Sequence, residues 1–281
     1  MHNKDISRTE GPGQNIIFLS EFSEGTLEAI RFSMQILPKT SGKLVFVQVY
    51  RKPDFGQSFL NSFVRVLERT AKNELGELKR RALRDFSIDE ERICLCPYEG
   101  DLVSFIRCEQ IVFNPCILVV SAKKAFADAS SGLCGKAMKV ASNTPHPLFI
   151  LPDCLKESLI RRILFFAGSI DQLPEKMDRL IRLSLLKNDP VFELKLVFSK
   201  GPYNMQADAE HLIKQLFHEA NLPLESTEVM SFCDISILRA REFSPDLVMI
   251  DQNLINLRDK RKKLNLKSWI ENKQGIPLLI I

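Results

Sequence analysis

At 281 residues, with 39 basic and 35 acidic side chains, the chain is long enough for two ordinary domains, and its net charge of +4 is too mild for a dedicated nucleic-acid binder. Apolar residues at 45% and charged residues at 26% are the balance of a globular protein, and apolar runs such as CILVV at 116–120 stop far short of the ~18 residues that cross a bilayer. The first fifteen residues carry no apolar secretory region, so we expect a cytoplasmic protein without membrane insertion.

In chain order, short apolar runs rich in β-branched residues alternate with longer stretches of helical periodicity, the pattern of a parallel sheet covered by helices. NIIFLS, residues 15–20, predicts the first strand, and a helix follows from about Thr26 to Pro38, where the ring ends it. KLVFVQVY at 43–50 predicts the second strand. A long helix over 59–86 is expected to bury Phe63, Val64, Leu67, Ala71, Leu75, Leu78 and Ala82. RICLCPY at 92–98 is the third strand, GDLVSFIRCEQIVF the third helix and PCILVVSA the fourth strand. A polar loop at 123–131, a short helix over 133–142 and the strand HPLFILP complete one doubly wound domain, residues 1–152.

Residues 153–162 read as a linker, after which the same order restarts as a second domain, 163–281. RILFFAG, FELKLVFSK, STEVMSFC, DLVMID and IPLLII are its strands, with helices over 171–187, 205–220 and 235–241. Ser121, just after the fourth strand, lies 26 residues before Pro147, and Asp251 lies 26 residues before Pro277. Equal spacing between equivalent landmarks points to duplication. The fold class expected is therefore α/β, two tandem Rossmann-like domains, each a five-stranded parallel sheet with helices on both faces.

The segments NIIFLSEFSEGTLEAIRFSMQI, KLVFVQVY, EGDLVSFI and TPHPLFIL, in that order, resemble the universal stress protein family in its tandem two-domain form. The resemblance implies an adenine nucleotide alpha hydrolase-like fold and, in members that bind ATP, an acid after the first strand and a glycine-rich loop after the fourth. Glycines serve such a loop because backbone amides must approach phosphates closely. Counted on the family pattern, the loop positions fall on Ser121, Lys124, Cys134 and Gly135 in the first half and on Asp251, Leu254, Leu264 and Asn265 in the second, so the required glycines are missing from both. The acid position holds Glu21 in the first half and Ala167 or Gly168 in the second. SSGLCGKAM at 130–138 also fails as a nucleoside-triphosphate loop of the Walker type, with Ser130 in place of the first glycine and Ala137 in place of the hydroxyl.

The resemblance thus implies a stress-response protein that is not an enzyme, lacks a cofactor and acts through a small ligand or a protein partner. The alternative is an ATP- or AMP-binding protein with weak ATPase activity. It would use a relocated phosphate site at Gly132, Gly135 and Lys136, with Glu21 near the ribose and Val49 against the base. The apolar last strand of each half implies an intramolecular pseudo-dimer, with a homodimer as a further option. The basic run at 258–267 is expected to be a solvated face, and His211 and His218 have no carboxylate or thiol at ligand spacing to make a metal site. Seven cysteines, Cys94, Cys96, Cys108, Cys116, Cys134, Cys154 and Cys233, form no repeated CxxC spacing and are expected to be reduced. The strand thiols among them should be shielded, and Cys154 in the linker is expected to react first.

Overall fold

The structure, a computed structural model, describes residues 15–19, 24–36, 42–51, 60–109, 116–121, 140–152, 160–182, 192–198, 206–220, 222–231, 244–255 and 276–281. The first half contains β1 (Asn15–Leu19), α1 (Glu24–Ile36), β2 (Leu44–Tyr50), α2 (Leu60–Phe86), β3 (Ile93–Glu99), α3 (Leu102–Glu109), β4 (Cys116–Ser121) and β5 (Leu148–Leu151). The second contains β6 (Arg162–Ala167), α4 (Leu173–Arg182), β7 (Phe192–Phe198), α5 (Gln206–Glu219), β8 (Leu224–Ser231), β9 (Leu247–Ile250), α6 (Gln252–Ile255) and β10 (Leu278–Ile280). The chain divides into two compact units, one of residues 1–32 and 39–148, the other of residues 33–38 and 149–281.

In the first unit β1 pairs in parallel with β2 on one side and β4 on the other, and β3 extends the sheet beyond β2. The Leu118 amide of β4 donates to the Pro147 oxygen at 2.9 Å, which places the entry of β5 beside β4. In the second unit β6 pairs in parallel with β7 and β9, β8 lies beyond β7, and β10 lies beyond β9. The central strands are buried along their whole length, β1 and β9 without an exposed residue, because helices of a doubly wound fold cover both faces and leave no solvent side for polar alternation.

The duplication is visible as recurring hydrogen bonds. Val248 of β9 donates to the Pro277 oxygen at 3.1 Å, the counterpart of Leu118 donating to Pro147, with a separation of 29 residues in each half. Leu118 stands opposite Ile17, and Val248 opposite Leu164, so the first strands of the halves correspond with an offset of 164 − 17 = 147. Carried into the helices that follow, this offset matches buried Thr26, Ala29, Ile30 and Ser33 of α1 to buried Leu173, Lys176, Met177 and Leu180 of α4.

Three expectations need correction. Of the predicted α2 stripe only Ala71, Leu75, Leu78 and Ala82 are buried, whereas Val64 and Leu67 are half-buried and Phe63 remains 49% exposed. The cause is length: a helix of 27 residues runs about 40 Å, whereas the 7-residue strand it packs on runs about 23 Å, so its first turns overhang the sheet. The helix after β6 begins at Leu173 rather than 171 because a 3-10 turn over Ile170–Gln172 comes first, with Ser169 Oγ accepting from the Asp171 amide at 3.3 Å. The strand expected at 226–233 starts two residues earlier, at Leu224. The segments 133–139 and 235–241 expected to be helical lie outside the described residues.

Candidate functional site

In a doubly wound sheet the ligand crevice opens at the carboxyl ends of the strands where the chain order reverses. Each unit reverses beside its first strand. In the first unit that point lies between the ends of β1 and β4, and in the second between the ends of β6 and β9.

At the second switch point the residues that follow β6 and β9 are described as far as Arg182 and Ile255, whereas Leu264 and Asn265 lie outside the described residues. Asp251, the residue after β9, is 1% exposed, and its own amide donates to the Phe166 oxygen of β6 at 2.9 Å. One carboxylate oxygen, Oδ2, accepts the Gly168 amide at 3.1 Å, and the other, Oδ1, accepts the Asn253 amide at 2.9 Å. Lys176 Nζ, from α4, lies 3.4 Å from Oδ1 and donates to the Ile281 main-chain oxygen at 3.0 Å. That same oxygen accepts the Gln252 amide at 2.8 Å. Asn253 Nδ2 closes the outer side by donating to Gln172 Oε1 at 2.8 Å.

Glycine is required at 168 for proximity: a Cβ there would lie 2.8 Å from Asp251 Oδ2. The offset between the halves aligns Gly168, rather than Ala167, with Glu21. Sequence reasoning treated Asp251 as a landmark of the repeat and as a missing loop glycine, and overlooked Lys176. A signal was present, since Lys176 falls on the same helical stripe as Leu173, Met177 and Leu180, where an ammonium needs a buried partner.

At the first switch point β1 ends at Leu19 and β4 at Ser121. Glu21, Gly132, Gly135 and Lys136 lie outside the described residues, as do Lys124, Cys134 and Cys154. Val49 is half-buried on β2 opposite Tyr98 of β3. Beside it the chain turns into α3 at Gly100, whose φ of +146° belongs to glycine and whose Cβ would meet the Tyr98 ring at 2.8 Å. The Gly100 amide donates to the Tyr50 oxygen at 2.9 Å, and Asp101 caps α3 by accepting the Ser104 amide at 2.9 Å. That amide, more than the Arg51 guanidinium 3.6 Å away, holds the Asp101 carboxyl below its usual range. Burial and the carboxylates of Glu68 and Glu99 push the neighbouring Tyr50 phenol up.

Among the described residues no group of His, Cys, Asp and Glu side chains could hold a metal ion, and His211 and His218 are both exposed on α5. Cys96 and Cys116 are buried, Cys94 on the outer strand β3 is partly accessible, and Cys108 is exposed at the end of α3. The basic run 258–267 lies outside the described residues. No described helix is long and apolar enough to cross a membrane.

No protein-family model matches the chain, and no curated protein matches its sequence. Its fold is similar to that of a universal stress protein from Archaeoglobus fulgidus, at 13% identity over 95% of each chain with a TM-score of 0.61. It is also similar to the cytoplasmic domain of a prokaryotic cation chloride cotransporter, at 13% identity over 95% of each chain with a TM-score of 0.51. A functionally unknown protein from Pseudomonas aeruginosa PAO1 shares the fold at 12% identity, over 96% of this chain and 92% of that one, with a TM-score of 0.53. At these identities the likeness is one of fold: a Rossmann-like α/β architecture of the universal stress protein kind.

Proposed function

We propose that the chain is a tandem universal stress-type protein of the cytoplasm that binds a small ligand or a protein partner and does no chemistry of its own. One observation carries the reading furthest. At the second switch point, the backbone amides of Gly168 and Asn253 are committed to Asp251, and an anionic ligand arriving there would meet a carboxylate. In the first half the reading rests on the sequence: Lys124 and Cys134 stand where the family pattern has glycine. Hydrogen bonds to a charged acceptor contribute ~1.5–3 kcal/mol each, so losing several weakens phosphate binding by orders of magnitude.

Titration of the purified protein with Mg-ATP tests this, and no isotherm is expected at micromolar concentrations. A stoichiometric micromolar isotherm that Lys136→Ala abolishes would overturn the reading. It would support ATP or AMP binding at Gly132, Gly135 and Lys136, with Glu21 and Val49 around the nucleoside. A second reading, a regulatory module that senses a small ligand on behalf of another protein, is favoured by the likeness to a transporter's cytoplasmic domain over 95% of each chain. Native mass spectrometry of gently purified protein separates the two by the mass of whatever is retained.

A further inference from the structure

We propose that the second unit's crevice is filled from within: Asp251 stands in for an anionic ligand on the backbone amides at the switch point, and Lys176 stands in for that ligand's counter-cation. The pair closes this unit to external anions and pins its last strand, so any ligand chemistry of the chain belongs to the first unit.

The geometry carries each part. Two amides from different segments, Gly168 after β6 and Asn253 in α6, converge on one carboxylate at 3.1 and 2.9 Å, the kind of cradle that backbone amides offer a phosphate. Gly168 has no Cβ to hold the carboxylate off, and one would lie 2.8 Å from Oδ2. Lys176 and Asp251 are 6% and 1% exposed and lie 3.4 Å apart, so each is the other's compensating charge in a site closed to water. The ammonium also reaches Ile281 at 3.0 Å, just past the three-residue strand β10, and so joins α4 to the ends of both β9 and β10. In the first half the 147-residue offset matches Lys176 to Ala29, and the 130-residue offset between Val248 and Leu118 matches Asp251 to Ser121. An alanine and a serine cannot form this pair, so the plug is a property of the second unit.

The inference rests on the proposed reading in treating the switch-point crevice as the ligand position. Its experiment reads thermal midpoints instead of nucleotide binding, so a failed titration and a failed rescue are separate results. Asp251→Ala leaves the Lys176 ammonium and two amide donors without their anion. Breaking a buried pair in this way should lower the midpoint by roughly 6–12 °C. Sodium formate or acetate at tens of millimolar should then recover about half of that loss in a saturable manner, whereas sodium chloride at equal ionic strength should not, and the wild type should respond to neither. The double variant Lys176→Met with Asp251→Leu removes both charges, and should lose less than Asp251→Ala alone. It also decides the matter if the single variant does not fold. A single variant as stable as the wild type, a rescue no better with carboxylate than with chloride, or a double variant worse than Asp251→Ala would overturn the proposal.

Discussion

Asp101 shows how much of a local structure one side chain can determine. The chain leaves β3 through Gly100, whose positive φ turns it sharply, and Asp101 then closes the first turn of α3 by accepting the Ser104 amide at 2.9 Å. Asp101→Ala should cost about 0.5–2 kcal/mol in urea unfolding at neutral pH. Because the folded carboxyl titrates below its unfolded value, its charged contribution is present above the unfolded pKa, near ~3.9, and is lost as pH falls through the folded value. The gap between wild type and variant should therefore narrow below about pH 4, and a gap that widens in acid would refute the assignment. The thiols are graded by burial in the same way. Burial pushes Cys116 up to about 12, while Cys108 is exposed. Peptide mapping after brief labelling at pH 8 should find Cys108 modified ahead of Cys94, and Cys116 unmodified until the protein unfolds.

Among the elements, α2 separates what periodicity can reveal from what it cannot. Its apolar residues recur at helical spacing from Leu60 to Ala82, so the sequence announces one continuous stripe. Among the described side chains full burial begins at Ala71, because the strands beneath are shorter than the helix. Phe63→Ala should therefore change the unfolding free energy by no more than about 0.5 kcal/mol, whereas Leu75→Ala, at a position with no exposed surface, should cost about 2–5 kcal/mol. Equal costs at the two positions would mean that the overhang is packed in solution. Strand identity was legible because buried parallel strands are uniform apolar runs such as NIIFL, CILVV and LVMI, and no competing periodicity obscures them. Helix starts were less legible where a 3-10 turn precedes the helix, as at Ile170–Gln172, since a serine cap looks the same before either.

Across the whole molecule, the duplication was legible in the equal spacing from Ser121 to Pro147 and from Asp251 to Pro277, because nothing in a parallel sheet beyond a minimum crossover length dictates such a match between unrelated halves. The plug at the second switch point was not. Asp251 and Lys176 are 75 residues apart in sequence, and only the folded register of β6, β9 and α4 brings them together. That register makes a prediction linking the two halves, since it assigns Ala29 to the place of Lys176 and Ser121 to that of Asp251. Ala29→Lys alone puts an unpaired ammonium on a buried stripe, and should cost about 3–5 kcal/mol. Adding Ser121→Asp should return part of that cost, with a coupling of at least about 1 kcal/mol in a double-mutant cycle read by urea unfolding. Pairing Ala29→Lys with Ser104→Asp, on the opening turn of α3, should show no such coupling. Strict additivity of Ala29→Lys and Ser121→Asp would mean that the two switch points are not equivalent, and that the second unit acquired its buried pair in a setting the first unit does not share.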